Sequence, residues 1–220
     1  MIKIYMVNLS ERRRFIKLML GAGVIALIGS SGYRLSELVM PSAGSRSALT
    51  PLDQWYVVQI GPTPTIDVDN YRLMIDGLVQ NPLALSLSEI MSMASTSLPD
   101  TIQCVSDSLF LKANVIWRGV PLRNMLEKAK PMSNASKVIL LGADGYTSDL
   151  PIDKAMEGTT LVVYEADYEL LLNQHGYPVR LAVPGWWGYK YVKWLTRISL
   201  TDKDYLGYWE SRGYPDVARK

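Results

Sequence analysis

Short apolar runs separated by turn residues fill most of the chain after Trp55. Runs of this length, rich in β-branched and aromatic residues, are typical of β-strands. Gly, Pro, Asn and Asp between them favour turns, as in Gly61-Pro62 and Asp144-Gly145. The pattern predicts strands over residues 55–59, 71–75, 101–105, 137–141, 160–164, 179–183 and 194–200.

Helical periodicity is confined to a few short segments. Residues 121–129 begin with a proline suited to a first turn and place Leu122, Met125, Leu126 and Ala129 on one face. Further helices are predicted over residues 88–93, capped by Ser86 or Ser88, and over residues 152–156. The sequence therefore predicts an α+β fold, mixed but β-rich.

The first 46 residues have the composition of a leader followed by a linker. Arg12-Arg13-Arg14-Phe15-Ile16-Lys17 precedes sixteen uncharged residues, Leu18 to Tyr33. A basic segment before an apolar segment is typical of an export signal, and the paired arginines resemble the twin-arginine export motif. The alternative is an amphipathic helix or a membrane anchor. Because no Ala-x-Ala cleavage site follows, a retained N-terminal anchor is also open.

The division predicted is therefore a signal, possible anchor and linker over residues 1–46 and one domain over residues 47–220. The net charge of +2 belongs to the leader, since residues 1–46 hold seven basic and two acidic residues. The rest of the chain is slightly acidic, which argues against a nucleic-acid-binding surface. Thirteen Tyr and six Trp stand against two Phe, and Tyr and Trp suit pockets and interfaces as well as cores.

Cys104 is the single cysteine of the sequence. An exported protein cannot form an internal disulfide with one cysteine, so its thiol is a buried apolar group, an intermolecular bridge, a nucleophile or a metal ligand. Nucleophilic Cys-His sites and zinc sites need histidines, and the chain has one, His175. No Gly-rich phosphate loop precedes a helix. A soft thiolate donor to a metal that brings its other ligands remains open.

A second informative stretch covers residues 175–197. His175 and Arg180 flank a turn that enters a predicted strand, and Lys190, Lys193 and Arg197 follow a Gly-rich loop. Cationic donors and free backbone N–H groups beside apolar residues are suited to a phosphorylated cofactor. A solvated basic loop beside a hairpin is the alternative.

The order of the motifs is more specific than any one of them. The segments 71–83, Gln103-Cys104-Val105, 117–122, Ala143-Asp144-Gly145-Tyr146 and 175–193 occur in the order found in the sulfite oxidase superfamily, whose molybdopterin-binding domain this chain closely resembles over residues 51–213. The resemblance implies that fold, a molybdenum–molybdopterin (Mo-molybdopterin) cofactor and oxidoreductase activity.

The resemblance also assigns residues. It implies that Cys104 is the catalytic thiolate that binds molybdenum. His175 and Arg180 fall on the family's cofactor-binding His/Asn-Gly-x-Pro-x-Arg motif. The cofactor's phosphate end would contact Tyr191, Val192 and Lys193, and an earlier element that also contacts the cofactor matches Tyr56 and Val57.

The residues after the cysteine depart from the pattern of true sulfite oxidases. Those enzymes have an Asn-Arg-Arg run there, whereas this chain has Val105-Ser106-Asp107-Ser108-Leu109-Phe110. An acidic residue in place of arginines disfavours an anionic substrate. The chain is more similar to the single-domain periplasmic branch, which includes methionine-sulfoxide reductase catalytic subunits.

The function expected is two-electron oxygen-atom transfer on a small sulfur or other oxo substrate by an exported, periplasmic enzyme. No haem or iron–sulfur motif is present, so we expect a membrane haem or quinone-linked electron-transfer partner. A sulfite-oxidising enzyme and a non-catalytic cofactor-binding module are the alternatives.

Overall fold

A computed structural model describes residues 48–220. The leader and anchor predicted within residues 1–46 lie outside the described residues. Within them, ten strands form two five-stranded sheets. The strands are β1 (Leu73–Gly77), β2 (Leu83–Leu85), β3 (Thr96–Gln103), β4 (Lys112–Pro121), β5 (Lys137–Gly142), β6 (Thr147–Pro151), β7 (Leu161–Ala166), β8 (Glu169–Leu170), β9 (Arg180–Ala182) and β10 (Leu195–Thr201).

The first sheet has the strand order β2-β1-β10-β5-β6. Its one parallel pair joins β1 to β10, and the other pairs are antiparallel. In the second sheet the order is β3-β4-β7-β8, and β9 also pairs with β7. Buried apolar residues of both sheets form one core, so the loops that leave the two sheets are held in fixed relative positions.

In the described part of the chain, three short helices pack beside the sheets: α1 (Leu87–Ser92), α2 (Leu122–Ala129) and α3 (Ile152–Ala155). In α1 the Ser86 hydroxyl accepts from the Glu89 backbone N–H while the Glu89 carboxylate accepts from the Ser86 N–H, forming a capping box. The predicted apolar face of α2 is fully buried. Single 3₁₀ turns occur at Leu52–Gln54, Asn173–His175, Gly188–Lys190 and Glu210–Arg212. None of the helices within residues 48–220 has the length and hydropathy to cross a bilayer.

The β-rich α+β prediction is confirmed, and all three predicted helices are present within a few residues of their predicted bounds. The strand predicted at residues 55–59 is wrong. That segment follows a 3₁₀ turn, and Trp55 packs its ring edge-on against Trp117 while its indole N–H donates to the Thr50 carbonyl. Tertiary packing of one large side chain therefore outweighs the local strand propensity of the segment.

Candidate active site

One cavity of about 280 Å³ lies where loops from the two sheets converge. Cys104 reaches it from the end of β3, Arg180 from the start of β9, and Lys193 from the segment that connects β9 to β10. Of the eight site residues predicted from the sequence, six line this cavity: Tyr56, Cys104, His175, Arg180, Tyr191 and Lys193. Residues distant in sequence are thus brought to one place.

Val57 and Val192 are the two predicted site residues that do not line the cavity. Val57 is half-buried and lies between Tyr56 and Val58, which both do. Val192 is fully buried, and its carbonyl accepts a hydrogen bond of 2.8 Å from the Leu181 N–H. Val192 therefore ties the connecting segment to β9 and sets the direction of Lys193 beside it.

Cys104 stands at the base of a closed loop. Its backbone N–H donates to the Leu111 carbonyl at 2.9 Å, which joins the two ends of the segment 104–111. Inside the loop, the Asp107 carboxylate accepts from the Phe110 N–H at 3.1 Å. The Cys104 Sγ lies 3.1 Å from the Ser106 hydroxyl, and the thiol is half-buried at the cavity wall. A partly accessible thiol of this kind is placed to bind a metal.

Arg180 carries a charge into the protein interior. Its guanidinium is 4% exposed and donates to the carbonyls of His175, at 2.9 Å, and Tyr191, at 3.3 Å. It also stacks over the Trp117 ring at 5.1 Å. Its Nε has no hydrogen-bond partner, and burial lowers the pKa of Arg180 to about 10. Among residues 48–220 no carboxylate forms an ion pair with it, so its charge and its free Nε–H are available to a bound anion.

Lys193 adds a second cation without a carboxylate partner. Its ammonium donates to Gln59 Oε1 at 3.2 Å and to the Gln174 carbonyl at 3.0 Å, and lies 4.2 Å from the centre of the Trp194 ring. Burial, with the nearby charge of Arg180, lowers the pKa of Lys193 to about 7. An anion bound between these two cations would raise that pKa again and be held by charge-assisted hydrogen bonds.

His175 is neutral in this environment. Burial, then the Arg180 charge, lowers its pKa to about 4. Its Nε2 lies 2.9 Å from the Leu52 carbonyl oxygen, which can only accept, so Nε2 carries the proton. The other ring nitrogen, Nδ1, is therefore left as an acceptor. A satisfied core histidine and a cofactor contact are thus both compatible with this position.

Sequence reasoning missed an aromatic set on the cavity surface. Tyr146, Tyr189, Trp209 and Tyr214 line it together with the predicted residues. The excess of Tyr and Trp over Phe indicated pockets or interfaces but assigned no position. Asp100 was missed as well: its Oδ2 accepts from the Tyr191 hydroxyl at 2.7 Å and from the Trp117 indole at 3.2 Å, which fixes both side chains behind Arg180.

A second group of buried and half-buried charges, which we call the ion network, lies beside the cavity and consists of Lys137, Lys190, Asp149, Glu210 and Asp216. The Lys190 ammonium is fully buried and lies 2.7 Å from Glu210, 3.3 Å from Asp149 and 3.4 Å from Asp216. Lys137 lies 3.1 Å from Asp149 and 2.9 Å from Asp216. In contrast to the cavity cations, these lysines are paired with carboxylates.

Comparison with known proteins bears on the identity of this site. Residues 60–209 match the family model described as "Oxidoreductase molybdopterin binding domain". The chain is 31% identical over 159 residues to the uncharacterized oxidoreductase YuiH of Bacillus subtilis, which covers 72% of this chain and 79% of that protein. It is also 31% identical over 190 residues to the mitochondrial sulfite oxidase of Drosophila melanogaster, covering 75% of this chain and 33% of that protein.

A solved structure has the same fold. The crystal structure of the sulfane dehydrogenase SoxCD from Paracoccus pantotrophus matches with a TM-score of 0.68 and 27% identity, over 70% of this chain and 44% of that chain. The family model covers more than half of the sequence, and the predicted cysteine and cations line one cavity. The chain therefore belongs to the oxidoreductases with a molybdopterin-binding domain of the sulfite oxidase type, and its cofactor is Mo-molybdopterin.

Proposed function

We propose that this oxidoreductase is exported and transfers an oxygen atom to or from a small sulfur compound or another oxo compound. The proposal rests on the kinds of side chain that line the cavity. The cavity holds one soft sulfur donor, Cys104, and two cations, the buried Arg180 and the half-buried Lys193, that lack a carboxylate partner among the described residues. A cofactor that combines a metal with an anionic phosphate satisfies both requirements.

The residues present fit such a group. Cys104 would bind the metal as a thiolate, and the cofactor's dithiolene would supply further sulfur ligands, which accounts for a single cysteine. Arg180, through its unpartnered Nε, and Lys193 would hold the phosphate. His175 would accept a hydrogen bond at Nδ1, and Tyr56 would donate one, because its buried hydroxyl has no partner.

When bound, the molybdenum centre supplies the two-electron redox chemistry. For an S-oxide, the balanced reaction takes up two electrons and two protons and releases the sulfide and one water molecule. The chain's own part is to orient the substrate and to limit the access of water to the cavity, which apolar and aromatic side chains line. The electrons have to come from a separate carrier, and a membrane haem or quinone-linked protein is the class we propose.

The loop after Cys104 bears on the substrate. Asp107 stands in the segment where sulfite oxidases carry arginines, and no Arg or Lys lies between Val105 and Leu111. This charge balance favours an uncharged S-oxide over the sulfite anion. Sulfite oxidation stays the second candidate because of the 31% identity to the Drosophila enzyme, which the chain covers only in part.

Export by the twin-arginine route to the periplasm, with or without a retained anchor, is proposed from Arg12-Arg13-Arg14 and the uncharged run after it. That pathway suits a protein that folds around a cofactor before it crosses the membrane.

The test is a substrate screen with the enzyme purified after expression with its leader. Oxidation of a reduced dye by methionine sulfoxide or dimethyl sulfoxide is expected, and sulfite-dependent reduction of an acceptor is not. Cys104→Ser is expected to lower activity at least ~100-fold, as loss of a metal ligand costs more than loss of an outer contact. Ser133→Ala, at an exposed position away from the cavity, is the control. Full activity and full molybdenum content in Cys104→Ser would refute the role of Cys104.

A further inference from the structure

Five aromatic rings form a continuous surface, which we call the aromatic wall: Tyr146, Tyr189, Tyr208, Trp209 and Tyr214. Neighbouring ring centres are 5.8 Å apart for Tyr146–Tyr208, 5.2 Å for Tyr208–Trp209, 5.1 Å for Trp209–Tyr214 and 5.5 Å for Tyr214–Tyr189. All but Tyr208 line the cavity. These spacings are those of tilted and edge-on aromatic pairs, so the wall is packed as one unit.

The wall begins beside Cys104. A Cβ placed on Gly188 would lie 2.9 Å from the carbonyl oxygen of Gln103, the residue that precedes the cysteine. Tyr189 follows Gly188 directly, and its carbonyl accepts a hydrogen bond from the Tyr146 hydroxyl. The cysteine and the wall are therefore adjacent parts of the cavity surface.

Two of the wall's tyrosine hydroxyls, those of Tyr146 and Tyr189, are already hydrogen-bonded within the protein. Tyr146 donates to the Tyr189 carbonyl, and Tyr189 donates to the Pro215 carbonyl at 2.7 Å. Burial, then the charge of nearby carboxylates, raises the pKa of both phenols, that of Tyr189 to about 12. Tyr146 and Tyr189 are therefore uncharged at neutral pH and offer mainly ring surface to a ligand.

The ion network holds the wall in place. Glu210, between Trp209 and Tyr214, binds the fully buried Lys190 at 2.7 Å and accepts from the Ser148 hydroxyl at 2.6 Å. The Tyr208 N–H donates to the Thr147 carbonyl at 2.9 Å. Anchored on both sides, the wall is organised before a ligand arrives, which lowers the entropic cost of binding.

Charge is unevenly distributed over the residues that line the cavity. The four lining residues of the wall are Tyr and Trp side chains, whereas Arg180 and Lys193 are cations, and the charge of Asp144 acts on both Tyr146 and Lys193. An anion is therefore drawn to the cations, and an uncharged apolar group to the wall.

We propose that the aromatic wall binds the apolar organic substituent of an uncharged oxo substrate, and that Trp209 and Tyr214 are specificity-determining residues. This rests on the proposed function, and it narrows the substrate class to S-oxides or related oxo compounds with an aryl or larger alkyl group. The wall binds the part of the substrate that does not react.

The first experiment measures binding alone. Titration calorimetry of the molybdenum-loaded enzyme, without a reductant, compares methyl phenyl sulfone with dimethyl sulfone as probes. The wild type is expected to bind the phenyl probe at least about tenfold more tightly. Trp209→Ala should abolish that preference, and Trp209→Phe should keep most of it. Tyr168→Ala, which removes a 74% exposed tyrosine outside the cavity, is the control and should keep it fully.

The second experiment compares methyl phenyl sulfoxide with dimethyl sulfoxide in the reduced-dye assay. Trp209→Ala is expected to raise KM for the phenyl substrate about tenfold with little change for dimethyl sulfoxide. Tyr214→Leu provides the same comparison should Trp209→Ala fail to fold. A phenyl preference that survives in both variants overturns the proposal. Phenyl binding at the wall without turnover of either sulfoxide would refute S-oxide reduction as the function. It would still support the wall as the binding site of an apolar group.

Discussion

Two sets of buried or half-buried cations among residues 48–220 differ in whether a carboxylate compensates their charge. Lys137 and Lys190 are paired with the carboxylates of the ion network. Arg180 and Lys193 contact carbonyl and amide oxygens and have no carboxylate partner among residues 48–220. Hydrogen bonds to carboxylates raise the pKa of Lys137 against the effect of its burial, whereas burial lowers that of Lys193 to about 7. The difference indicates that Lys137 and Lys190 stabilise the fold, whereas Arg180 and Lys193 are available to bind an anion.

The strongest test of the paired set is Lys190→Met. The substitution leaves the buried carboxylate of Glu210 without its cation and leaves Asp149 with Lys137 alone, so the free energy of unfolding should fall by about 3–5 kcal/mol. Denaturant unfolding measures it. Arg118→Met is the matched control, since the exposed pair Arg118–Glu165 should contribute less than about 1 kcal/mol. Equal losses in the two variants would mean that the ion network does not stabilise the fold.

The next largest effect is a loss of stability at acid pH that is caused by His175. Its folded-state pKa of about 4 lies below the ordinary value of 6.5, so the unfolded chain binds a proton first as pH falls. Stability should therefore decline between pH 6.5 and pH 4, by on the order of 3 kcal/mol from this group. Unfolding curves over that range compare the wild type with His175→Gln. An unchanged slope in His175→Gln would exclude the histidine as the cause.

The smallest expected effect concerns the unpaired set. Lys193→Met should weaken retention of the cofactor about tenfold to a hundredfold, because it removes a charge-assisted contact to phosphate. Molybdenum content after dialysis measures this. Stability of the cofactor-free protein at pH 7 should not fall, since burial disfavours the lysine's charged form there. A variant that is less stable yet retains its cofactor fully would place Lys193 with the paired cations instead.

Much of the fold is predictable from local pattern. The apolar face of α2 and the capping serine of α1 follow from residue spacing and type, and both are observed. Five predicted strands, those matching β1, β5, β7, β9 and β10, overlap the observed ones closely. Local sequence preference and the global fold agree in these elements.

The longest strand, β4, was missed for an identifiable reason. It contains Gly119 and ends at Pro121, and both residue types usually interrupt strands. Here Gly119 lies at a register shift in the pairing with β7, and a Cβ on it would lie 2.2 Å from the Val162 carbonyl oxygen. The glycine is required by close backbone approach between two strands, which no single-sequence pattern reveals.

The residues of the site also divide into those that the sequence predicts and those that it does not. Cys104 and the cations could be found because their chemistry is rare in the sequence and their motif order resembles a known family. The aromatic wall could not be predicted, because nothing in the sequence distinguishes Trp209 and Tyr214 from other aromatic residues. The Lys190–Glu210 ion pair holds their segment at the cavity, and that pair joins distant parts of the chain. Contacts between distant segments, rather than residue type, define that part of the site.

The hydrogen bond from the Cys104 N–H to the Leu111 carbonyl holds the base of the loop independently of the exposed residues at its tip. Because it joins the loop's ends, we expect the exposed tip residues Leu109 and Phe110 to tolerate substitution while the backbone of Cys104 keeps its position. Val105 and Ser106 line the cavity, and the Ser106 hydroxyl contacts the thiol, so these two residues belong to the site itself. Substitution at the tip can therefore vary the loop surface without displacing the proposed metal ligand.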